Sequence, residues 1–564
     1  MRSVSRSGPR GASLTRFIAG LALASLLLVA CETGDTAEGP TATASASAGS
    51  TESPTGLTPT PGATGTSTPL SPDADVLRVA VNDPSTLDPM RAEDPGSVLV
   101  VRQLYEGLTR WDPVEEKVLP AAAESWKVRD EGATFRFKLR PDLTFHDGTP
   151  VTSADFAFAF NRIARKNSAS NIAYTLDLVK GFQQVNQLGR INELAGVKAP
   201  DPATLVIELD EPYYDLPAVL THPGLVPLSE AAVDDLDKFL REPIGNGPFK
   251  MAEPWTPGEE ISLHAFEEAI EPPLLDGMRF IPFDDASSSW LQFVDEELDV
   301  AEVPADQIGA ATEAYGENGV QPLLAGYYYG LNIRSKALRS RPLRTAISRA
   351  IDRETISRTI YRGTLQAPRG IVPSGMPGFR ENVCLRLCKF SPEVAERVID
   401  KLPPKKRNVT LEYTKGSPHA QVAAAIERNL TDVGLRVKRR SFEIGRYLKH
   451  LRKGNQSVYR YGWFAEYPVP DVFLSSLFFS TSPDNHASFV SPKVDKLLLR
   501  AHKERSDDKR LELYQKAEKV ILRDVPIVPI GSLLSHWAAQ TNIDGIVFDT
   551  MGGFDSVGIS LANE

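Results

Sequence analysis

The chain has 564 residues, and its 73 acidic and 63 basic side chains give a formal net charge of −10 at pH 7. An acidic chain of this kind lacks the basic surface that nucleic-acid binding needs, so we expect no nucleic-acid partner. The part from residue 76 onward is long enough for two or three lobes, each with its own core.

The amino-terminal segment has the pattern of an export signal. Residues 1–16 carry four arginines and no acidic residue, and the apolar run FIAGLALASLLLVA follows at 17–30. A basic segment before an apolar run shorter than the roughly 20 residues of a membrane span is typical of a signal peptide. The run ends directly before Cys31 in a sequence that resembles a bacterial lipobox. The resemblance implies that Cys31 is lipidated and becomes the mature amino terminus; an ordinary signal peptide with an incidental cysteine is the alternative.

A segment of low complexity follows the signal. Residues 32–75 are almost entirely Thr, Ser, Ala, Gly, Pro and acidic residues. Such a composition offers too little apolar surface to repay the entropy of ordering, which predicts a flexible tether. Together with the lipobox, it places the protein outside the cytoplasm, attached to the cell membrane through a lipid on Cys31.

The elements of the body alternate between strand and helix patterns. VLRVAV (76–81) and FRFKLR (135–140) alternate like half-buried strands, and Thr152 with Asp155 forms a capping box before a helix. Further on, NVTLEYT (408–414), a helix that begins at Pro418 and ends at Gly434, and LRVKRRSF (435–442) form a βαβ unit with two parallel strands. The pattern predicts an α/β protein with mixed sheets.

Two cysteines remain when Cys31 is set aside. Cys384 and Cys388 lie in the stretch CLRLC, and in an oxidising compartment we expect them to form a disulfide. A metal-binding pair is the alternative, although no histidine or further cysteine is near them in the sequence.

Sequence motifs of common hydrolases and nucleotide-binding proteins are missing. The chain contains no G-x-S-x-G, no H-E-x-x-H and no G-x-x-x-x-G-K-[ST] pattern. We therefore predict that the protein is not an enzyme and needs no cofactor or metal. A secreted hydrolase stays open as a less favoured alternative, because the separation of two carboxylates is a spatial property.

Five stretches resemble one known family. They are LYEGLTRWDPVEEKVLPAAAESWKV (104–128), FKLRPDLTFHDGTPVTSADFAFAF (137–160), GNGPFK (245–250), LRTAISRAIDRETI (343–356) and GWFAEYPVPD (462–471). They are similar to the signature runs of the family 5 extracellular solute-binding proteins, which bind peptides or nickel for ABC importers. The resemblance covers nearly the whole body.

The family resemblance implies a bilobal periplasmic-binding-protein-like fold (type II, cluster C) with an extra lobe. The first lobe would comprise 76–105, 244–330 and 525–564, the inserted lobe 106–243, and the closing lobe 331–524. Two crossing strands near 326–334 and 525–530 would link the lobes, an arrangement that suits hinge closure. The family also implies a monomer that captures an oligopeptide or dipeptide and docks on permease subunits.

The resemblance also supplies candidate ligand contacts. In peptide-binding members an aspartate holds the ligand's α-ammonium, and the aligned residue here is Glu466, flanked by Trp463 and Tyr467 as pocket walls. Asn332 and Tyr328 on a crossing strand are further candidates. The same fold could instead bind a metal chelate, an oligosaccharide or another small cationic solute. Glu466 could also be a surface loop residue between core aromatics.

Overall fold

A computed structural model describes residues 74–562. The predicted signal peptide, Cys31 and nearly all of the predicted tether lie outside the described residues. Across 74–562, no helix combines the length and apolar character needed to cross a membrane. The names first lobe, inserted lobe and closing lobe are kept below for the residue ranges given above.

The described chain contains short and medium strands throughout its length. In chain order they are β1 (Val76–Val81), β2 (Thr109–Asp112), β3 (Lys117–Pro120), β4 (Ala123–Arg129), β5 (Thr134–Leu139), β6 (Val197–Asp201), β7 (Thr204–Glu208), β8 (Phe249–Met251), β9 (Ile261–Ala265), β10 (Gly277–Pro282), β11 (Val300–Glu302), β12 (Val320–Leu331), β13 (Leu365–Gln366), β14 (Asn408–Thr414), β15 (Arg436–Phe442), β16 (Val458–Phe464), β17 (Ile527–Ala539), β18 (Ile543–Asp544), β19 (Val547–Phe548), β20 (Phe554–Asp555) and β21 (Ser560–Leu561).

Helices are concentrated in the closing lobe. In chain order they are α1 (Pro95–Leu104), α2 (Ser153–Ala164), α3 (Leu216–Val219), α4 (Glu230–Val233), α5 (Leu236–Phe239), α6 (Ala286–Val294), α7 (Ile308–Tyr315), α8 (Arg341–Ala350), α9 (Arg353–Thr359), α10 (Leu385–Cys388), α11 (Pro392–Ile399), α12 (His419–Asp432), α13 (Ile444–Arg452), α14 (Asp471–Phe478), α15 (Pro492–His502) and α16 (Asp507–Asp524). Short 3₁₀ or π turns occur at Asp130–Gly132, Ala173–Leu176, Gln183–Gln187 and Pro404–Lys406.

One mixed sheet runs through the first and closing lobes. Its strand order is β15-β14-β16-β12-β17-β11-β1-β10-β9-β8, with β13 paired to β17. The two long strands β12 and β17 are antiparallel neighbours; β12 also pairs with β16 of the closing lobe, and β17 with β11 of the first lobe. These two strands therefore carry the sheet from one lobe into the other.

The inserted lobe is built on a separate sheet of order β4-β5-β7-β6. Helix α2 follows this sheet's second strand and starts with the predicted capping box, in which Asp155 accepts hydrogen bonds from the backbone N–H and the hydroxyl of Thr152. Phe156 and Phe160 on the inner face of the helix are fully buried. The predicted capping box at the start of α2 is thus confirmed.

The predicted βαβ unit is also confirmed, because β14 and β15 pair in parallel with α12 between them. Helix α12 begins at His419, one residue later than predicted, and Gly434 follows its end with a φ of 90°, a conformation that costs glycine little. Strand β15 forms one end of the large sheet and exposes Arg436, Lys438, Arg439 and Arg440. A disulfide joins Cys384 and Cys388 across α10.

Candidate ligand-binding cleft

Glu466 lies in the loop that leaves the central sheet after β16. The backbone N–H of Ala465 still donates to the carbonyl of Leu324 on β12, at 2.8 Å. Pro468 and Pro470 then lead the chain into α14. The side chain of Glu466 is only 20% exposed. It therefore points into the body of the protein, where it reaches residues of the inserted lobe.

Two donors from the inserted lobe hold one oxygen of this carboxylate. Tyr174 donates its hydroxyl hydrogen to Glu466 Oε2, and His222 Nε2 lies 3.1 Å from the same atom. The backbone N–H of Gly224 donates to His222 Nδ1 at 2.9 Å. Because Nδ1 is an acceptor, the neutral imidazole carries its hydrogen on Nε2 and donates it to Glu466.

Neither donor brings a positive charge at neutral pH. Burial lowers the pKa of His222 to about 4. Burial also raises the pKa of Glu466 to about 8, with a further contribution from the carboxyl of Glu93. The pKa of Glu93 is itself raised to about 6 by burial and by Asp94. Within residues 74–562 no lysine or arginine forms an ion pair with Glu466, so the site favours a cation from outside the chain.

Two cavities meet at Glu466. Cavity A lies between the inserted and closing lobes and has a volume of about 90 Å³. Cavity B, of about 200 Å³, is lined by the first lobe, the inserted lobe and residues near the carboxyl end. Glu93, Phe464 and Glu466 line both cavities. Residues of all three lobes therefore surround the carboxylate, which lies where the two cavities join.

The two arginines that line cavity B already have acidic partners. Arg102 pairs with Asp549, and Arg110 makes two hydrogen bonds to Glu271 at 2.8 and 2.9 Å. These ion pairs neutralise the cations that could hold a ligand carboxylate. The cleft as a whole is thus suited to a positively charged group at Glu466 and offers no unpaired arginine among these lining residues.

The structure brings three of the predicted site residues together. Trp463 and Tyr467 line cavity A beside Glu466. The indole ring of Trp463 stacks on Tyr461 with centroids 6.2 Å apart, and its Nε1 is buried without a hydrogen-bond partner among the described residues. Both aromatic side chains can therefore contact a ligand that binds at the carboxylate.

Asn332 and Tyr328 line neither of these two cavities, and their role as ligand contacts stays a prediction. The side-chain amide of Asn332 donates to the carbonyls of Gly454 and Gln456, and its oxygen accepts from the N–H of Arg334. Tyr328 is buried, with its ring 5.9 Å from that of Tyr461. The side chain of Asn332 thus holds a loop, and Tyr328 packs into a core formed mainly by residues of the closing lobe.

Sequence reasoning missed Glu93, Tyr174 and His222. Tyr174 lies in a 3₁₀ turn and His222 follows the single turn of α3. They are 292 and 244 residues from Glu466 in the chain. No local pattern connects these positions, and only the packing of the inserted lobe against the closing lobe brings them together.

Comparisons of the sequence with known proteins agree with this architecture. A family model described as bacterial extracellular solute-binding proteins, family 5 Middle, matches residues 117–485. The oligopeptide-binding protein OppA of Bacillus subtilis (strain 168) is 26% identical over 495 residues, covering 83% of this chain and 89% of that protein. The probable deoxycholate-binding periplasmic protein YgiS of Escherichia coli (strain K12) is 28% identical and covers 82% and 89%.

Solved structures show the same fold. The murein tripeptide-binding protein MppA, in its unliganded open form, superposes with a TM-score of 0.77 at 23% identity, covering 87% of this chain and 98% of that one. Haemophilus influenzae OppA in complex with the peptide RPPGFSPFR gives a TM-score of 0.67 at 24% identity, covering 87% and 99%.

The fold and the cleft between its lobes define a bilobal, periplasmic-binding-protein-like molecule. The chain belongs to the family 5 bacterial extracellular solute-binding proteins.

Proposed function

We propose that this protein captures peptides through their free α-ammonium group and delivers them to the permease of an ABC importer. The observation that carries the proposal is Glu466, a largely buried carboxylate at the junction of two cavities with only neutral hydrogen-bond donors around it. The names of several relatives support it, since they describe oligopeptide- and dipeptide-binding proteins.

Ligand capture works through a shift between open and closed arrangements of the lobes. A ligand ammonium on Glu466 contacts the closing lobe, while Glu93 of the first lobe and Tyr174 of the inserted lobe face the same junction. Contacts to several lobes exist together only when the lobes are close, so the ligand favours closure. Arg102 and Arg110 are paired with carboxylates of the chain, so neither fixes the position of a ligand's terminal carboxylate. Peptides whose carboxyl ends lie at different positions can therefore bind.

The site of action is the outer face of the cell membrane. The lipobox-like sequence before Cys31 and the tether that follows it support a lipid anchor. The relatives are named as binding proteins, several of them periplasmic, which supports a transport role without covalent chemistry. A lipid anchor on Cys31 would keep the lobes close to the permease.

A non-peptide solute is the second candidate. It is favoured by the relative named as a probable deoxycholate-binding protein, which matches the chain as extensively as the peptide-binding relatives do. Mass spectrometry of ligand that co-purifies with the protein from its native host separates the two, because a peptide gives a fragmentation series and a sterol acid does not.

The Glu466→Gln variant tests the amine anchor. Calorimetry should show that the variant binds free-amine peptides about tenfold or more weakly than wild type does. The reason is that a charge-assisted hydrogen bond contributes about 1.5–3 kcal/mol. Amino-terminally acetylated peptides should bind wild type and variant alike.

Glu271→Gln is the matched control, because its carboxylate also lines cavity B but is neutralised by Arg110. This variant should keep the preference for free amines. Equal affinity of wild type and Glu466→Gln for free-amine peptides would remove the anchor role.

A further inference from the structure

Positive charge is concentrated at one end of the closing lobe. Residues 436–453 contain eight lysines and arginines and a single acidic residue, Glu443, although the whole chain has a net charge of −10. This segment comprises β15, which is the end strand of the large sheet, and α13. Because like charges held this close repel one another, the cluster is best accommodated against a surface of opposite charge.

Three cations of β15 project from the same face of the sheet. Arg439 pairs with Glu427 of α12 at 2.6 Å, so its side of the strand is the one that α12 covers. Phe442 lies on the opposite side, where its ring is 5.5 Å from that of Tyr447 on α13. Since alternate residues of a strand share a face, the side of α13 also carries three exposed cations. These are Arg436, Lys438 and Arg440.

Helix α13 adds a second row of cations next to the first. Tyr447 and Leu451 are the buried residues of this helix. Residues three, four and seven positions apart share one side of a helix, and the side that faces solvent carries a row with this spacing. Its members are Arg446, Lys449 and Lys453, which are all exposed. Among the described residues, none of these three forms an ion pair. We call the two rows together the basic face.

The two rows meet at a recess of about 160 Å³. Arg440 and Arg446 line it together with Lys415 and Glu443, which pair with each other at 2.6 Å. Arg440 lies 3.7 Å from the carboxylate of Glu412, but its side chain is 52% exposed. Two guanidinium groups around one recess suit a phosphate group, because each can donate two parallel hydrogen bonds.

We propose that the basic face lies against the cell membrane and binds the anionic phosphate headgroups of its lipids. The inference goes beyond the proposed function, because it states which side of the closing lobe faces the bilayer. The proposed lipid anchor on Cys31 keeps the body beside such a surface, where anionic headgroups attract lysines and arginines. The attraction is screened within about 10 Å at 0.1 M salt, so it orients the body only when the basic face is near the headgroups.

The anchor and the basic face can reach the same bilayer. In the large sheet β15 and β1 are six strand spacings apart, which corresponds to about 29 Å at the usual separation of strands. Residues 32–75 join Cys31 to β1, and a chain of that length can span up to about 145 Å. The distance between the anchor and the basic face is therefore no obstacle to this orientation.

Vesicle flotation tests the proposal. The protein used is the chain from residue 32 onward, which keeps every described residue and lacks Cys31. At about 0.1 M salt it should bind vesicles of equal parts phosphatidylglycerol and phosphatidylcholine about tenfold or more tightly than vesicles of phosphatidylcholine alone. In about 1 M salt, where the screening length falls to about 3 Å, the preference for anionic vesicles should disappear.

Neutralisation of one row of the basic face provides the second test. The triple variant Arg446→Gln, Lys449→Gln, Lys453→Gln should bind the anionic vesicles about tenfold or more weakly than wild type does, because three exposed cations are lost. Circular dichroism checks that the variant is folded, which we expect because none of these side chains is buried.

A matched control is available on α15. Lys493, Lys496 and Arg500 are exposed cations with the same spacing along their helix. Their replacement by glutamine makes the same change in net charge and should leave most of the binding to anionic vesicles in place. The control therefore separates the position of the cations from their contribution to the net charge.

Two results would overturn the proposal. One is equal loss of binding in the two triple variants, which would assign the attraction to net charge alone. The other is equal binding of the wild-type protein to both kinds of vesicle, which would favour the acidic surface of a protein partner as the occupant of the basic face. Because no peptide takes part in these experiments, their outcome is independent of the role proposed for Glu466.

Discussion

At the residue scale, the carboxyl group of Glu466 has two hydrogen-bond donors but no positive charge beside it. Tyr174 and His222 orient its Oε2 atom, but burial and the neighbouring Glu93 carboxyl make its ionised form costly. A ligand ammonium supplies the charge that the chain omits. The binding of an amine is therefore linked to the protonation state of this one side chain.

Proton release on binding should report this linkage. With a pKa of about 8 in the free protein, Glu466 is mostly protonated below about pH 7, and the bound ammonium favours its ionised form. Binding there should release close to one proton, and affinity should fall about tenfold for each pH unit below this range. Calorimetry in buffers of different ionisation enthalpy measures the released protons.

The groups that face Glu466 do not reverse the sign of this effect. His222, with its pKa lowered to about 4, stays neutral, and Tyr467, whose pKa is raised by burial, stays protonated. Glu93 has a pKa of about 6, so it contributes to the number of protons released on binding only below about this pH. Binding without proton release near pH 6.5 to 7 would contradict the linkage.

Tyr174→Phe should shift the same profile. Loss of the hydroxyl removes a hydrogen bond to the ionised carboxylate, so the pKa of Glu466 rises further and affinity at pH 7 falls by up to about tenfold. The pH dependence of the dissociation constant measures the shift.

Tyr213→Phe is the matched control for that variant. Tyr213 lines the same cavity but its hydroxyl bonds to Asp471, so its removal should leave the pH profile in place. A Tyr174→Phe protein with a wild-type profile would show that the hydroxyl has no part in positioning the anchor.

At the element scale, sequence patterns succeed where their signals are local. The capping box of α2 and the β14–α12–β15 unit are encoded within stretches of a few dozen residues, and both are confirmed. Strand β12 shows the limit of such patterns. Apolar side chains cover both of its faces, with Tyr328 in one core cluster and Tyr327 in another. Alternation along a strand therefore could not tell which face meets the cleft.

The stretch GNGPFK illustrates how a local motif acts on the fold. A Cβ atom at Gly245 would overlap the carbonyl oxygen of Leu104 at the end of α1, and the neighbouring Asn246 bonds to both the N–H and the carbonyl of Glu106. The lack of a side chain at Gly245 thus lets this loop pack directly on the backbone that borders cavity B.

Gly245→Ala should therefore lower the free energy of unfolding by about 1–3 kcal/mol, the usual cost of overpacking. Denaturant titration followed by circular dichroism measures the change. Gly309→Ala is the control, because that glycine lies in α7 with open space around it and alanine favours a helix. Equal stability of Gly245→Ala and wild type would show that the loop can move away from α1 at no cost.

At the scale of the whole molecule, a buried polar cluster joins the inserted lobe to the closing lobe. Asp215 accepts from Arg510 Nε at 2.6 Å and from the Tyr514 hydroxyl at 2.7 Å. Burial raises the pKa of Asp215 despite the opposing effect of Arg510. Such a pair fixes the geometry of an interface, because either partner alone would be a costly buried charge.

Asp215→Ala should destabilise this interface by about 3 kcal/mol or more, since Arg510 then keeps only the exposed carboxylate of Asp507 and the backbone carbonyl of Glu504 as partners. Chemical denaturation measures the loss, and small-angle X-ray scattering measures any increase in the radius of gyration. Asp507→Asn is the control, because an ion pair with a partner that is 82% exposed contributes little. If both variants unfold at the same denaturant concentration as wild type, the pair does not hold the lobes together.

The strand at the far end of the large sheet affects how copies of this molecule behave at high density. Any sheet that stops at an uncovered strand offers free backbone groups to a neighbour's strand. On β15 an approaching neighbour would have to bring its own Arg436 and Lys438 against the same two cations, whereas Arg439 and Arg440 have Glu427 and Glu412 as partners. Repulsion between Arg436 and Lys438 of the two copies therefore opposes edge-to-edge polymerisation.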